Sequence, residues 1–465
     1  MRPCHQPLQP TMKPVTRFSL TLLILCTAIP LQAQNLEQQF DALLEAQFPS
    51  NEPGAVALVA RDGKVIYQKA LGMANLELSV PMTTDMVFRI GSITKQVTAV
   101  AILMLMEQGK LNLDDPITRF LPYYPTHGHN ITIHHLLTHT SGITNSTTLK
   151  PWDAHVRKKD FTPEEFISYY KNEPMYSVPG ELYRYNNFGY HILGYIIELA
   201  SGQPYGQFVH TQIFEPLGMS QSRYGSHESL IKNRASGYTR GANGFENPEY
   251  ISLTQPYAAG SLMSTTGDQL IWLNALLSNK LIKTETLKLA WSNYENNEGT
   301  KINYGYGWFL NEVNGSPTFE HAGGVQGFQT NGIYLPEEKV FVAVFSNCDR
   351  TDPRPVSLRM AGLAIGKPYP AADDVLALTE KELKKWTGTY RYPDRSLRVV
   401  EFIDGWLYWS RPGRMKFRLL PSAPNRFLLE NTFTQVEFFP EQDDVRVEIK
   451  ARIARRTAHK VKDGE

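Results

Sequence analysis

Cysteine is scarce: three among 465 residues, at positions 4, 26 and 348. Two of them fall within the first 33 residues, so a chain shortened there keeps Cys348 alone and forms no intrachain disulfide. Charge imbalance is missing as well. Lys and Arg number 47 against 46 Asp and Glu, a formal net charge of +1. That argues against a nucleic acid as the main partner, because domains that bind one are strongly basic. Beyond the amino end no apolar run approaches the length of a membrane span. Internal repeats are absent, and so is Gly-x-Ser-x-Gly, the pentapeptide of the α/β-type serine hydrolases. What remains is the composition of an ordinary soluble chain, 42% apolar and 20% charged, with room for more than one domain.

The amino end stands apart. Lys13 and Arg17 precede FSLTLLILCTAIPLQA (Phe18 to Ala33), an apolar segment that ends on a small residue. The pattern predicts a bacterial export signal over residues 1–33, cleaved after about Ala33, with Met12 as an alternative start. A retained anchor is disfavoured because the apolar core is short and Pro30 interrupts it; lipid attachment at Cys26 is disfavoured by the bulk of Leu25. The expected location is periplasmic or secreted, with no membrane span after cleavage.

Periodicity predicts the elements. GAVALVARDGKVIYQKALG holds two β-type runs around Asp62-Gly63, a hairpin signal. Helical patterns follow behind Ser92 and over 163–171, 188–200 and 205–213, and Thr265 with Asp268 has the spacing of a capping box. GIYLPEEKVFVAVFSN returns to strand character around Pro336-Glu337-Glu338. Strands at both ends with helices between them imply one domain over 38–365 whose sheet is built from both termini. A Pro- and Gly-containing linker over 366–376 follows, and then alternating runs with frequent turns predict a small antiparallel β domain over 377–455, barrel-like in pattern.

The chemistry centres on FRIGSITKQVTAV. Ser-x-x-Lys occurs three times, at Ser92/Lys95, Ser168/Lys171 and Ser229/Lys232, but only Ser92 opens a helix whose residues are apolar nearly all round. A serine at a helix amino terminus sits in a field that favours an alkoxide and an oxyanion, and a lysine buried one turn on has a lowered pKa. The competing reading is a capping serine with a snorkelling lysine. His134, His135 and His139 raise a metal reading, since the last two have i, i+4 spacing. The apolar Leu136-Leu137 between them favours a structural role instead.

Two further motifs tip the balance. Tyr185-Asn186-Asn187 and His321-Ala322-Gly323 follow Ser-x-x-Lys in order, accompanied by LTHTSGI, IFEPLGM and AAGSLMSTTGD. Together they resemble the three motifs of the serine β-lactamase and penicillin-binding protein superfamily. The resemblance is to its class C-like branch of class C β-lactamases, D,D-carboxypeptidases, D-aminopeptidases and esterases. It implies an α/β (α+β) fold, an antiparallel sheet flanked by helices with a helical subdomain and the site between them. It also implies Ser92 as nucleophile, Lys95 as its proton-handling partner and Tyr185 as general base, phenolate or relay. Asn187 would hold Lys95 and the substrate, the N–H groups of Ser92 and Gly324 would form the oxyanion hole, and His321 and Gly323 would face the substrate. Histidine stands where class C β-lactamases carry lysine, which turns the expectation away from β-lactam hydrolysis and toward peptides or esters. At that position an imidazolium would recognise a substrate carboxylate in acid; the alternative is a neutral ring that donates a hydrogen bond and orients Ser92 or Tyr185. No cofactor or metal is expected.

Overall fold

A computed structural model describes residues 35–149, 156–369, 375–430, 432–441, 444–452 and 454–461. The expected export signal lies outside these residues, as does the middle of the expected linker. The chain divides into one unit that ends at Ala42 and another that begins at Leu43. The described residues of the first are helical, and the architecture below belongs to the second.

Six strands form its antiparallel sheet: β1 (Ala55–Arg61), β2 (Lys64–Leu71), β3 (Phe309–Val313), β4 (Ser316–Val325), β5 (Phe328–Leu335) and β6 (Val340–Ser346). Their order is β3-β4-β5-β6-β1-β2. The two ends of the domain therefore meet at the centre, with Ala55 opposite Ser346 and Arg61 opposite Val340. β1 (AVALVAR) and β6 (VFVAVFS) are covered on both faces, which is why they read as unbroken apolar runs. The edge strand β2 keeps half its residues exposed. The hairpin between β1 and β2 turns at Asp62 (φ 50°) and Gly63 (φ 75°), the paired positive φ values that a two-residue turn demands.

Five helices matter for the site: α1 (Thr94–Glu107), α2 (Pro163–Tyr170), α3 (Asn187–Ser201), α4 (Thr266–Leu277) and α5 (Arg354–Ala364). α4 and α5 pack on the sheet, and α1 packs on α3. α1 is buried without a break from Thr94 to Leu105, so this helix is enclosed and has no solvent face over three turns. Thr265 caps α4 by accepting the Asp268 N–H at 3.0 Å. The expected reciprocal half of that box is replaced, because the Asp268 carboxylate instead accepts from Gln221 N and Ser222 Oγ.

The carboxy-terminal strands close into an eight-stranded barrel in sequence order: β7 (Gly388–Arg391), β8 (Leu397–Ile403), β9 (Trp406–Ser410), β10 (Lys416–Ala423), β11 (Arg426–Leu429), β12 (Thr434–Pro440), β13 (Val445–Ala451) and β14 (Ala454–Lys460). β7 pairs with β14 through Tyr390–Lys460 and Arg391–His459. Closure needs that last strand, so the ladder runs to Lys460, past the boundary at 455 that alternation predicts.

Between β13 and β14 Arg452 (φ 58°) reaches the catalytic sheet. Its Nε donates to the Glu312 carbonyl at 2.8 Å, and its two terminal nitrogens fork onto both carboxylate oxygens of Glu320 on β4. Glu320 is 8% exposed and also accepts from Asn311 and Thr318. Removing one partner of a pair this buried costs about 3 kcal/mol. Arg452→Met should therefore lower the melting temperature, and adding Glu320→Gln should restore part of the loss. Equal melting of Arg452→Met and parent would show that the fork contributes nothing.

Candidate active site

Backbone contact sets the site. The two-residue strand Phe88–Arg89 leads into Ile90 and Gly91, and Gly91 takes φ 51°. A Cβ on Gly91 would sit 2.7 Å from Gly324 N, and one on Gly323 would sit 1.9 Å from Ile90 O. Only glycine allows these two segments to touch. Thr330 Oγ1 locks them by donating to Ile90 O at 3.0 Å. Ser92 lies in the 3-10 turn Gly91–Ile93 ahead of α1, whose cap is Ile93. The serine is thus not a cap; it is the residue presented beside Gly324. Ser92, Asn187 and Gly324 line one cavity of about 210 Å³ together with Ser146, Gln255 and Gln326.

Lys95 is fully buried, and its Nζ lies 2.8 Å from Asn187 Oδ1, 2.8 Å from Ala259 O and 3.2 Å from Ser92 Oγ. Among the described residues no carboxylate pairs with it. Burial holds its pKa well below the usual lysine range. Two of its three neighbours are carbonyl oxygens, which only accept. A neutral amine gives its two N–H bonds to them, and its lone pair is left facing Ser92.

Tyr185 closes the group from the other side, with Lys95 Nζ 4.8 Å from its ring centroid. Its hydroxyl is buried beside Ser92 without a fully formed hydrogen bond. Burial raises its pKa, with the Ser92 contact a smaller opposing influence. Desolvation thus favours the neutral phenol, the relay half of the expectation for Tyr185, over the phenolate.

His321 and Gly323 do not line the Ser92 cavity. Gly323 is spent on the contact with Ile90. His321 is 1% exposed, and its Nδ1 donates to the Ala322 carbonyl at 2.6 Å, leaving Nε2 to accept from the Tyr304 hydroxyl at 3.2 Å. Burial pushes its pKa down to about 3, and Lys95 would push the same way whenever it is protonated. Burial and these two bonds favour the neutral ring over the imidazolium that would bind a carboxylate.

The residue that sequence reasoning undervalued is His139. It takes φ 59° after the short helix Ile133–Leu137. Its carbonyl accepts from Arg184 N at 2.9 Å and its Nδ1 from Asn186 N at 3.0 Å, so it grips the chain on both sides of Tyr185. Its ring lies 4.4 Å from that of Tyr185. The i, i+4 spacing to His135 suggested metal, but His135 Nδ1 is used at Thr132 and His134 Nδ1 at the Tyr306 hydroxyl. The signal that could have found His139 was LTHTSGI. The other two Ser-x-x-Lys serines are elsewhere: Ser168 is exposed on α2 and Ser229 is exposed in a turn. Among the described residues the one group with metal-ligand spacing is Glu441, Asp444 and His459 in the barrel, where Arg446 already pairs with Glu441 and His459 with Asp444.

Comparison with known proteins places this geometry. The profile of the family described as Beta-lactamase matches residues 34–367. A penicillin-binding protein of Bacillus subtilis is 29% identical over 434 residues, 88% of this chain and 95% of that one. Esterase EstB of Burkholderia gladioli is 34% identical over 216 residues, 43% of this chain and 55% of that protein. Among solved structures, the octameric penicillin-binding protein homologue from Pyrococcus abyssi gives a TM-score of 0.64 at 28% identity, covering 91% of this chain and 99% of that one. D-amino acid amidase from Ochrobactrum anthropi gives 0.61 at 25% identity, covering 72% and 98%.

Two tests follow from this geometry. His139→Phe keeps the ring but removes the acceptor for Asn186 N–H, and should lower kcat roughly a hundredfold with KM little changed. His139→Asn, which tolerates the positive φ and restores an acceptor, should recover much of it. In a Tyr185→Phe background His139→Phe should add almost nothing; a full additional loss would mean that His139 does not act through Tyr185. The second test concerns acid. His191 and His321 titrate at about 3 and His135 at about 4, all lowered by burial. Each binds a proton more readily once unfolded, so stability should fall as pH drops below about 6.5, by up to about 1.4 kcal/mol per pH unit for each group. KM for acidic and for neutral substrates should meanwhile share one pH profile between about 5 and 8. A KM that rises only for acidic substrates would restore the charged His321.

Proposed function

The chain belongs to the beta-lactamase family, and on that footing we propose an exported serine hydrolase that forms an acyl-enzyme on Ser92. Its substrates in this reading are amide or ester bonds of cell-wall or D-amino-acid peptides. The observation that carries the mechanism is Lys95, with two carbonyl acceptors at 2.8 Å and Ser92 Oγ at 3.2 Å.

Lys95 is the base of acylation. Ser92 Oγ bonds to the substrate carbonyl carbon as its proton passes to Nζ, and the N–H groups of Ser92 and Gly324 hold the oxyanion. With Asn187 Oδ1 committed to Lys95, its Nδ2 remains to orient a substrate carbonyl. When the C–N or C–O bond breaks, the leaving atom takes the Tyr185 hydroxyl proton, and the Lys95 ammonium replaces it. Water then enters where the leaving group departed, and the same proton transfers run in reverse to free Ser92. A neutral tyrosine is a suitable donor here because the departing alkoxide or amide anion is the stronger base.

Similarity to a penicillin-binding protein and to a D-amino acid amidase supports the substrate class, and the amino-terminal apolar segment supports export. Similarity to an esterase supports a second reading, small esters at the same site. A third, of a different kind, is a β-lactam sensor that acylates and stalls.

Protein lacking residues 1–33 should turn over a D-aminoacyl amide or a D-Ala-D-Ala peptide faster than a short-chain ester, and a phosphonate should label Ser92 alone. Faster ester cleavage selects the esterase, a preferred chromogenic cephalosporin selects a β-lactamase, and a stable adduct without turnover selects the sensor. Label on Ser168 or Ser229, or full activity in Ser92→Ala, removes Ser92 from the chemistry.

A further inference from the structure

Side chains along a barrel strand alternate between interior and exterior, and at one end of this barrel three arginines follow the inward register, Arg398 buried and Arg411 and Arg456 reaching solvent. Arg398 stands opposite Tyr390 in the β7–β8 register, and Tyr390 is wholly buried in the barrel core. Residues paired directly across an antiparallel ladder share a face. Arg456 stands opposite Ile449, which packs on the same core. Arg411 continues the alternation of Leu407 and Trp409, both core residues.

The three converge on Tyr392, itself 4% exposed. The guanidinium carbons of Arg456 and Arg398 lie 4.1 and 5.0 Å from its ring centroid. Arg411 is close enough to act electrostatically on both Tyr392 and Arg398. Arg398 is 8% exposed and gives one hydrogen bond, to the Leu397 carbonyl at 2.8 Å, leaving most of its five donors unused. Arg456 has Asp394 at 2.6 Å. The Arg411 side chain has no ion-pair partner among the described residues. Asp394 is the one acid that acts on both Tyr392 and Arg398 among the described residues.

Three cations thus gather at this end of the barrel with one carboxylate among them. The buried Arg398 bears a desolvation cost that an anion held by all three would offset. We propose that this mouth is an anion site that takes a phosphate dianion, free or as a phosphomonoester. The two uncompensated charges match the dianion, and guanidinium forks match the geometry of phosphate oxygens.

Calorimetric titration of the protein with inorganic phosphate should show one equivalent bound, and sodium chloride at equal ionic strength should show none. Affinity should rise between about pH 5.5 and 7.5 as the dianion forms. Arg398→Met and Arg411→Met should each weaken binding roughly tenfold or more. Arg411 is exposed, so its variant leaves the fold intact even where Arg398→Met does not. Glucose 1-phosphate supplies the second arm: tighter binding than inorganic phosphate marks a phosphomonoester as the guest, and weaker binding marks the free ion. No heat with phosphate, binding unchanged in Arg411→Met, or equal binding of sulfate with no rise with pH would each overturn the proposal.

Discussion

The amine of Lys95, buried with carbonyl oxygens and a serine but no carboxylate, is the constraint on which the site depends. A carboxylate partner would stabilise the ammonium and remove the lone pair. Carbonyl oxygens satisfy the N–H donors without stabilising the charge to the same degree, so burial favours the neutral amine. The same desolvation acts on everything around it. It raises Tyr185 toward its neutral phenol and pushes His321 and His139 toward neutral imidazoles. Desolvation therefore favours a resting centre of neutral hydrogen-bonding groups, in which the first charge separation comes with the substrate.

That arrangement requires the backbone to come very close in one place and to be braced in another. The close place is the touch between Gly91 and the Gly323-Gly324 pair, where any side chain would hold the nucleophile away from β4. The braced place is the segment around Tyr185, gripped through the main chain of Arg184 and Asn186 by a single histidine. Both use backbone atoms, so neither depends on a long side chain holding its rotamer.

The barrel enters this picture through β4. Glu320, which Arg452 forks from the barrel side, is the residue immediately before His321, and both are almost fully buried. Strand β4 is thus pinned at one point by the carboxy-terminal domain and at the next by Tyr304 and the Ala322 carbonyl. The arginine-lined mouth lies on the same barrel, at the turns that precede β8 and follow β9.

The sequence by itself determined the architecture and singled out Ser92 among the Ser-x-x-Lys serines. AVALVA and VFVAVF are long apolar runs because central strands are covered on both faces, and a helix apolar all round behind Gly-Ser could only be enclosed. The ordered motifs pointed to Ser92, Lys95, Tyr185 and Asn187, and the structure brings all four together. Charge states were decided only by the tertiary structure. Histidine at 321 reads in sequence as a titratable group near its ordinary pKa, and the fold removes that charge by enclosing the ring and fixing its tautomer from Ala322 and Tyr304. LTHTSGI marks His139 in the sequence but not its role, because the atoms it holds are backbone N–H groups some 45 residues away. The same holds for Arg452: an arginine in a hairpin turn looks solvated until the fold places Glu320 opposite it. Desolvation and long-range pairing depend on what surrounds a residue in three dimensions, and a linear pattern carries periodicity but not surroundings.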